Sequence, residues 1–425
     1  MPAHGTNRAG GDDPSGMSAH SFREDPRRQS FSGQEFPGQE HSGQHQATLR
    51  VATSQRSMSL ASPDALVAAI PFLLGFVPDQ SLVLVWLSGG QLQLTQRVDL
   101  PESSSADTRS YLQAVLAAAD ATVSDSLVAC VFDEHWQSKG VLGHRRLMDG
   151  LRAEVVERGW TLLDALMVQV PDSSNQATRW WSYLCQQRCC PPEGRVVPVQ
   201  VQTSVAAAFA LEGVAVLSSR SELAASFAAD GVAVARLAPR LEKRRLPDEP
   251  AARERWRTER IRRLRQTLGL NLDADSGREQ RLAATESSVP EQSLTDAQTI
   301  ELVHALQDIR VRDCVLWSLA QAPDVRAVAP LFLQALRAAP EEYVPAVACC
   351  AAVSVWLTGD GARANMALQR ALMADQHYSL AILLDLALRA ALPPGRWVAM
   401  MAGLSEDECR HGVEPEGSTG ARSSP

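Results

Sequence analysis

Two short apolar runs constrain the fold of this chain more than any other feature. The first, SLVLVWL at residues 81–87, is rich in residues that favour strands. The second, SLVACVF at Ser126–Phe132, is almost continuously apolar, a pattern typical of a buried strand. After the first run, Gly89-Gly90 and the alternating QLQLTQRVDL predict a β-hairpin.

Helical periodicity before and between these runs predicts an α/β architecture. A helix is predicted to begin at Pro63, with Ser62 as its N-cap, and to end early at Pro71. The other elements predicted in this half are helices at 106–121, 141–158, 203–211 and 221–227, and a strand at 161–170. Because strands alternate with helices, we expect an α/β domain with a mixed sheet that is partly parallel.

The second half of the chain has only helical patterns. Thr295 and Gln298 form a capping-box pattern at the start of the first predicted helix. Further helices are predicted at residues 311–319, 327–336, 345–357, 362–373 and 379–391. These helices predict an all-helical C-terminal bundle or a short stack of tetratricopeptide-like helix pairs, with too few clean repeats for a solenoid.

An arginine-rich segment at residues 240–265 separates the two halves. Glu259 and Arg263 form a favourable i,i+4 pair, and the pattern favours a solvated connecting helix. A nucleic-acid patch is disfavoured because acidic residues dilute the positive field and Trp256 is the single stacking ring.

Composition completes the predicted domain organisation. Residues before about 57 are rich in Gly, Ser, Gln and His, include the imperfect repeat SGQEF-PGQEH-SGQHQ, and have almost no aliphatic periodicity, which is typical of disorder. The predicted parts are a disordered tail at 1–57, an α/β domain at 58–238, a charged helix and linker at 239–290, a helical domain at 291–405, and a disordered tail at 406–425.

Charge and hydropathy exclude several classes of partner. Lys and Arg number 41 against 49 Asp and Glu, a net charge of -8, so we expect neither nucleic acid nor a membrane surface as a partner. No apolar run reaches the roughly 18–20 residues that span a bilayer, and the N-terminus has no secretory pattern. We therefore expect a cytoplasmic protein whose eight cysteines are reduced thiols.

Familiar catalytic signatures are missing. The sequence has no G-x-x-x-x-G-K-[ST], no G-x-G-x-x-G after a strand, no G-x-S-x-G and no H-E-x-x-H. We therefore predict no cofactor, and the sequence leaves open whether the protein is an enzyme.

The segment RWWSYLCQQRCCPPEG at residues 179–194 concentrates cysteines. Cys185, Cys189 and Cys190 do not have the C-x-x-C spacing of a zinc knuckle or a thiol redox pair, and adjacent cysteines diverge. A zinc site would need a fourth ligand from His135, His144 or Cys130. Structural packing is therefore favoured, with a metal site or a redox pair as the weaker alternatives.

Polar residues follow the predicted strands. In α/β sheets, ligands bind beyond the carboxyl ends of the strands. The first crossover strand ends at residues 133–135, and the next leads to Asp172 and Ser173. The candidate ligand-binding residues are Asp79, Ser81, Asp133, Glu134, Arg179 and Ser182. Arg179 is the candidate for holding an anion such as phosphate or carboxylate.

Several motifs together carry a resemblance. PFLLGFVPDQSLV at 71–83, RWWSYLCQQRCCPPEG, and the later RDCVLWSLA, WLTGDGARA and HYSLAILL resemble a bacterial, chiefly actinobacterial, family catalogued as a domain of unknown function. The likeness runs from about residue 60 to 397, and it implies no activity, cofactor or catalytic residue. The residues within the family's motifs are Gly75, Phe76, Pro78, Ser81, Arg179, Ser182, Cys185, Cys189, Cys190, Pro191 and Gly194.

Two functions remain open on this sequence. The first is an interaction or scaffold protein that joins an α/β module to a helical module, whose grooves bind an unidentified protein partner. The second is an enzyme or small-ligand-binding protein with an anion site at the strand ends.

Overall fold

The protein is described by a computed structural model. The described residues are 49–52, 57–60, 62–101, 108–134, 137–138, 141–171, 177–185, 190–211, 213–270 and 293–412. The glutamine-rich repeat, residues 271–292, and the chain after residue 412 lie outside them.

An eight-stranded mixed sheet organises the first half and confirms the predicted α/β class. Its strands are β1 (Leu49–Ala52), β2 (Ser57–Leu60), β3 (Ser81–Ser88), β4 (Gln91–Asp99), β5 (Ser126–Phe132), β8 (Thr161–Gln169), β9 (Arg179–Ser182) and β10 (Arg195–Val196). The order is β10-β9-β8-β5-β3-β4-β1-β2. The pairs β5–β8 and β1–β4 are parallel, and β3 runs antiparallel to both β4 and β5. A separate ribbon pairs β6 (Gln137–Ser138) with β7 (Val141–Leu142).

β1 lies within the segment predicted as the N-terminal tail. Residues 1–57 were expected to be disordered, whereas Arg50 of β1 pairs with Gln91 of β4 and with Ser59 of the edge strand β2. Backbone hydrogen bonds can hold a strand in a sheet, so β1 needs no apolar periodicity of its own.

Four helices cover the two faces of this sheet. On one face α2 (Thr108–Ala117) and α3 (Arg145–Glu157) pack against the even-numbered side chains of β3 and the odd-numbered side chains of β5. On the other face lie α1 (Pro63–Leu74) and α4 (Val199–Leu211), over the odd-numbered side chains of β3. Strands covered on both faces explain why the two apolar runs are almost continuous.

The early end predicted for α1 is wrong. The helix continues through Pro71 to Leu74 and ends at Gly75, whose φ is +76°. Pro71 lies in the last turns, where its missing N–H removes a single intrahelical hydrogen bond. The buried row Leu66, Ile70 and Leu74 continues past the proline and keeps the last turn in place.

The rest of the described chain is helical, which confirms the predicted all-helical half. The helices are α5 (Arg220–Ser226), α6 (Gly231–Leu241), α7 (Pro250–Leu268), α8 (Asp296–Ala305), α9 (Ile309–Gln321), α10 (Ala329–Ala338), α11 (Val344–Trp356), α12 (Gly361–Ala374), α13 (Ser379–Arg389), α14 (Pro394–Ala402) and α15 (Glu406–His411). Every residue of α11 is buried, so this helix forms the centre of the bundle. No helix among the described residues combines the length and the apolar character that a bilayer crossing requires.

Three helices were missed, and α15 lies where a disordered tail was expected to begin. α6 has a proline near its end, and α14 and α15 are short. The capping box of Ser405 with Glu408 starts α15, and Cys409 buries it against the bundle. Tertiary packing thus stabilises a six-residue helix that would not persist alone.

The arginine-rich helix α7 is not a solvated connector. Ile261, Leu264 and Leu268 are buried in a core that also contains one face of the sheet and the C-terminal helices. The Nε atom of Arg257 donates to Oδ1 of Asp308 over 2.9 Å, and its Nη2 donates to Oδ2 over 3.0 Å. Long arginine side chains bury their apolar stems and reach acceptors at the packing interface, which a one-dimensional charge pattern does not reveal.

Replacement of Asp308 should be costly. Asp308 is buried, pairs with Arg257 and caps α9 through the backbone N–H groups of Arg310 and Val311. We expect Asp308→Ala to lower the free energy of unfolding by about 3–5 kcal/mol, because it leaves a buried guanidinium without its partner. Urea unfolding measures the change. Asp296→Ala, which removes a more exposed pair with Arg236, should cost no more than about 1 kcal/mol; equal costs would contradict the prediction.

Candidate functional site

The strand pairing brings most of the predicted site residues to one edge of the sheet. Because β5 and β8 are parallel, their carboxyl ends share an edge, which we call the rim. Ser81 at the start of β3 lies opposite Phe132, and Arg179 at the start of β9 lies opposite Gln169. Asp79 and Asp133 adjoin these strand ends. The residues at positions 135, 172 and 173 lie outside the described part of the chain.

The rim residues do not form one cluster, because they point to two faces. The side chains of Asp133 and Arg179 belong to the face that α2 and α3 cover, whereas Ser81 and Ser182 belong to the face of α1 and α4. Successive side chains of a strand point to opposite faces of the sheet. Polar side chains at neighbouring strand ends therefore come together only when the strand register places them on the same face.

On the α3 face, Asp133 meets His144. Its Oδ2 lies 2.6 Å from Nε2 of the imidazole. The Asp133 side chain is 10% exposed and that of His144 is 25% exposed. His144 is the N-cap residue of α3 and has a φ of +57°, a left-handed conformation that points its ring back toward the end of β5. A carboxylate that is almost buried therefore fixes one nitrogen of a partly exposed imidazole.

Tyr183 and Arg145 border this pair. The Tyr183 hydroxyl donates to the Gly143 carbonyl over 2.6 Å, and Nη1 of Arg145 lies 3.4 Å from the Tyr183 carbonyl. Burial raises the pKa of Tyr183, with the Arg145 charge opposing and the Asp133 charge adding to the effect. The tyrosine therefore stays a neutral donor, and Arg145 is the nearest cation. Glu134 follows Asp133 and is exposed.

On the other face, Ser81 belongs to a closed structural network. Its hydroxyl donates to the Asp79 carbonyl and accepts from Nε of Arg97 over 2.7 Å. Arg97 also pairs with Asp99 over 2.6 Å. The Asp79 carboxylate is turned to its own loop, where it accepts from the Gln80 backbone. These contacts fix the start of β3 and use the polar groups of Ser81.

Arg179 and Trp181 both donate hydrogen bonds to the backbone of the turn at residues 191–194. Nη1 of Arg179 donates to the Glu193 carbonyl over 3.0 Å, and Nε1 of Trp181 donates to the Pro192 carbonyl over 3.1 Å. Gly194 closes the turn with a φ of +80°, and its Cα lies against the Trp181 ring. The guanidinium predicted to hold an anion is therefore engaged by the backbone of the turn.

Ser182 contacts a partly buried carboxyl group, Asp164. The serine hydroxyl donates to Asp164 Oδ1 over 2.7 Å, and the same oxygen accepts from the Ala165 backbone. Burial raises the pKa of Asp164 in spite of these two hydrogen bonds. This pair lies in the sheet below the rim and shares the α1 face with Cys130.

The cysteines do not assemble a metal site among the described residues. No group of three His, Cys, Asp or Glu side chains there could hold a metal ion. Cys185 and Cys190 are half-buried, and Cys189 lies outside the described residues. Burial raises the pKa of the Cys130 thiol, which disfavours the thiolate that a metal needs.

Sequence reasoning reached Asp133 but missed its surroundings. His144 was considered only as a zinc ligand, and Arg145 and Tyr183 were not singled out. The available signal was the position of His144 directly before α3, because a helix that follows a strand returns over the end of that strand. The tyrosine directly follows β9, which is brought next to β8 only by antiparallel pairing.

Comparison with known proteins gives one match. A family model described as "Domain of unknown function (DUF4192)" matches residues 63–395. It confirms the resemblance seen in the motifs, and it brings no activity. No curated protein and no solved structure matches the chain.

The turn at Gly194 should be intolerant of a side chain. A Cβ at this position would lie 2.5 Å from Cζ2 of Trp181, and the alanine would also have to adopt the left-handed backbone conformation. Gly213 is the matched control, because its φ is +73° and a Cβ there meets nothing. We expect Gly213→Ala to cost roughly 1 kcal/mol and Gly194→Ala to cost about 1–3 kcal/mol more, both measured by urea unfolding. Equal losses of unfolding free energy in the two variants would contradict the prediction, because they would show that the Trp181 ring can shift without an energetic cost.

The raised pKa of Asp164 predicts a pH-dependent contribution to stability. Between the ordinary aspartate pKa and the raised native value, the folded protein binds more protons than the unfolded chain, so stability falls as pH rises. We expect the unfolding free energy of the wild type, minus that of Asp164→Asn, to fall with rising pH through this window and then to level off. Urea unfolding at a series of pH values measures it, and a difference that rises with pH would refute the assignment.

Proposed function

The chain belongs to the DUF4192 family, and from that premise we propose that its α/β part binds a small ligand through an anionic phosphate or carboxylate group beside His144. Family membership supplies no activity, so the proposal depends on geometry. The observation that carries it is the 2.6 Å contact between Asp133 and His144 at the rim.

The Asp133–His144 pair has the features of a preorganised binding site. Asp133 holds one ring nitrogen, and the other nitrogen of His144 has no partner among the described residues. With the imidazole neutral, the free nitrogen can accept a hydrogen bond from a ligand hydroxyl; with it protonated, it can donate to an anion. The partial exposure of the His144 side chain leaves it accessible.

The N-terminus of α3 adds positive potential at the same place. α3 begins at Arg145, directly after His144, and its first turn contains no acidic residue. The backbone N–H groups of a helix N-terminus and a guanidinium both favour an anion. Arg145 pairs with Asp149 only at 3.7 Å, and both side chains are at least half exposed, so a ligand can compete for it.

An enzymatic role would use the same two residues. A carboxylate that orients an imidazole is the arrangement of a general base and its positioning residue. In that case Asp133 would position His144, and His144 would take a proton from a ligand hydroxyl or from water held at its free nitrogen.

Ligand-dependent thermal stability tests the binding proposal. The probes are nucleotides, phosphorylated metabolites and small carboxylates. A ligand at 100 times its Kd should stabilise the wild type by about 2.7 kcal/mol. His144→Asn, whose asparagine tolerates the left-handed cap conformation, should bind at least about tenfold more weakly because it loses the ring.

Two arginine variants serve as controls. Arg152→Gln lies on the exposed side of α3 and should respond like the wild type. Arg179→Gln should also respond like the wild type, because its guanidinium is engaged by the Glu193 carbonyl. A ligand that stabilises His144→Asn as strongly as the wild type would refute the proposal, and an effect confined to Arg179→Gln would move the site to the turn.

We also propose that the helical half binds a protein partner, because α13 carries an exposed apolar stripe. Ile382, Leu383 and Leu386 lie on one side of this helix and are 38%, 63% and 57% exposed. Leu386 follows Ile382 by four residues and Leu383 by three, and both spacings make side chains neighbours on the helix surface. Neighbouring apolar side chains that stay exposed often mark interaction surfaces.

Affinity capture from an extract of the native host tests this second function. Proteins retained by the wild type should be lost with the double substitution Leu383→Glu and Leu386→Glu. Val123→Glu is the control, because Val123 is an isolated exposed valine in the α/β half. Retention of the same proteins by the double variant would refute a role for the stripe.

A further inference from the structure

The interface between α7 and α8 contains alternating charged and uncharged contacts. We call it the α7–α8 seam. Its members are Arg253, Trp256, Arg257 and Arg260 of α7, and Glu301, His304 and Asp308 of α8 and the turn that follows it. Glu301 and His304 are spaced i and i+3, so they lie on one side of α8, which is the side that faces α7. Asp308 follows in the turn after the helix.

The facing residues of α7 and α8 form three successive sets along the seam, which we call levels. The first and the third level are ion pairs. Arg260 pairs with Glu301, and Arg257 makes a bidentate hydrogen-bonded ion pair with the buried Asp308. At each of these levels a guanidinium meets a carboxylate, as a buried cation requires.

The middle level has no acid. There the His304 ring lies 5.9 Å from the Trp256 ring, with the two planes perpendicular. His304 is 7% exposed, and its imidazole has no hydrogen bond to any described residue. Trp256 in turn lies under the Arg260 guanidinium at 5.8 Å.

Positive charge is in excess around this level. Arg244, in the turn after α6, is exposed and has no ion pair among the described residues. Arg253 contributes a further positive charge, which lies 4.0 Å from Oδ2 of Asp308, and its buried Nε atom makes no hydrogen bond to a described residue. Burial lowers the pKa of His304, and the charges of Arg244 and Arg260 lower it further, which favours the neutral ring. The charged groups that bear on this ring are Arg244, Arg260 and, through its pair with Arg260, Glu301.

We propose that the middle level of the seam is a binding site for a phosphate group, held between Arg244 and Arg260 and hydrogen-bonded by His304. A phosphate supplies the acceptor that this level lacks and balances the surplus cations. Guanidinium groups match phosphate oxygens in charge and geometry. The imidazole N–H donates to a phosphate oxygen, and the phosphate charge then stabilises the protonated ring. This site is separate from the rim and does not depend on His144.

Histidine side-chain NMR tests the proposal, with inorganic phosphate as the probe and with ionic strength held constant by sodium chloride. His304→Gln assigns the resonance among nine histidines. Phosphate should shift the His304 resonance in a saturable manner and raise its pKa by on the order of one unit. Arg244→Gln, an exposed substitution that should not affect folding, should weaken phosphate binding at least about tenfold.

Arg255→Gln is the matched control, because Arg255 is an exposed arginine of α7 with only a 4.0 Å contact to Glu249. It should give the wild-type phosphate titration at the His304 resonance. His144→Asn weakens anion binding at the rim, and it should leave the titration of the His304 resonance unchanged because the two sites are separate. The proposal is overturned if phosphate leaves the His304 resonance and pKa unchanged, or if Arg244→Gln and Arg255→Gln bind phosphate equally.

Discussion

The parallel pairing of β5 with β8 is the constraint on which the α/β half depends. Parallel neighbours cannot be joined by a tight turn, so the chain must cross back along a helix. α3 makes that crossing, and its N-terminus must then lie over the edge where β5 ends. This geometry brings His144, the N-cap of α3, against Asp133, the first residue after β5. The histidine, the helix N-terminus and Arg145 are at the rim for the same topological reason.

The arginine-rich helix has the corresponding role in the second half. Buried ion pairs roughly balance Coulomb attraction against desolvation, so their effect is to fix how α7 docks rather than to supply net stability. Arg257 can be buried only where Asp308 meets it, which fixes the register of α7 against α8 and α9. Apolar contacts of Ile261, Leu264 and Leu268 supply the favourable burial. His304 differs from the other residues of this interface, because it is a buried polar residue whose side chain has no hydrogen-bond partner among the described residues.

Much of the fold could be predicted, and the failures have identifiable causes. The strand at Ser126–Phe132 and the capping box at Thr295 agree with the structure, because both depend on local pattern. α1 passes Pro71 because a continuous buried row outweighs one lost hydrogen bond. α15 was missed because packing, not propensity, stabilises it. At the rim, the strand ends were predicted to converge, but their separation onto two faces depends on register, which no local pattern gives.

The sequence by itself determined the two-part architecture, the identity of the central strands and the family, because apolar periodicity and motifs are properties of the chain read in order. Only the tertiary structure decided which polar residues meet. In the structure Arg179 is bound to the backbone of a turn, and Ser81 is hydrogen-bonded to Arg97. His144 and His304 each lie near arginines and have a ring nitrogen without a hydrogen bond to a described residue. Contacts between distant segments arise from register, strand order and helix docking, and those depend on the whole packed core rather than on any single stretch of residues.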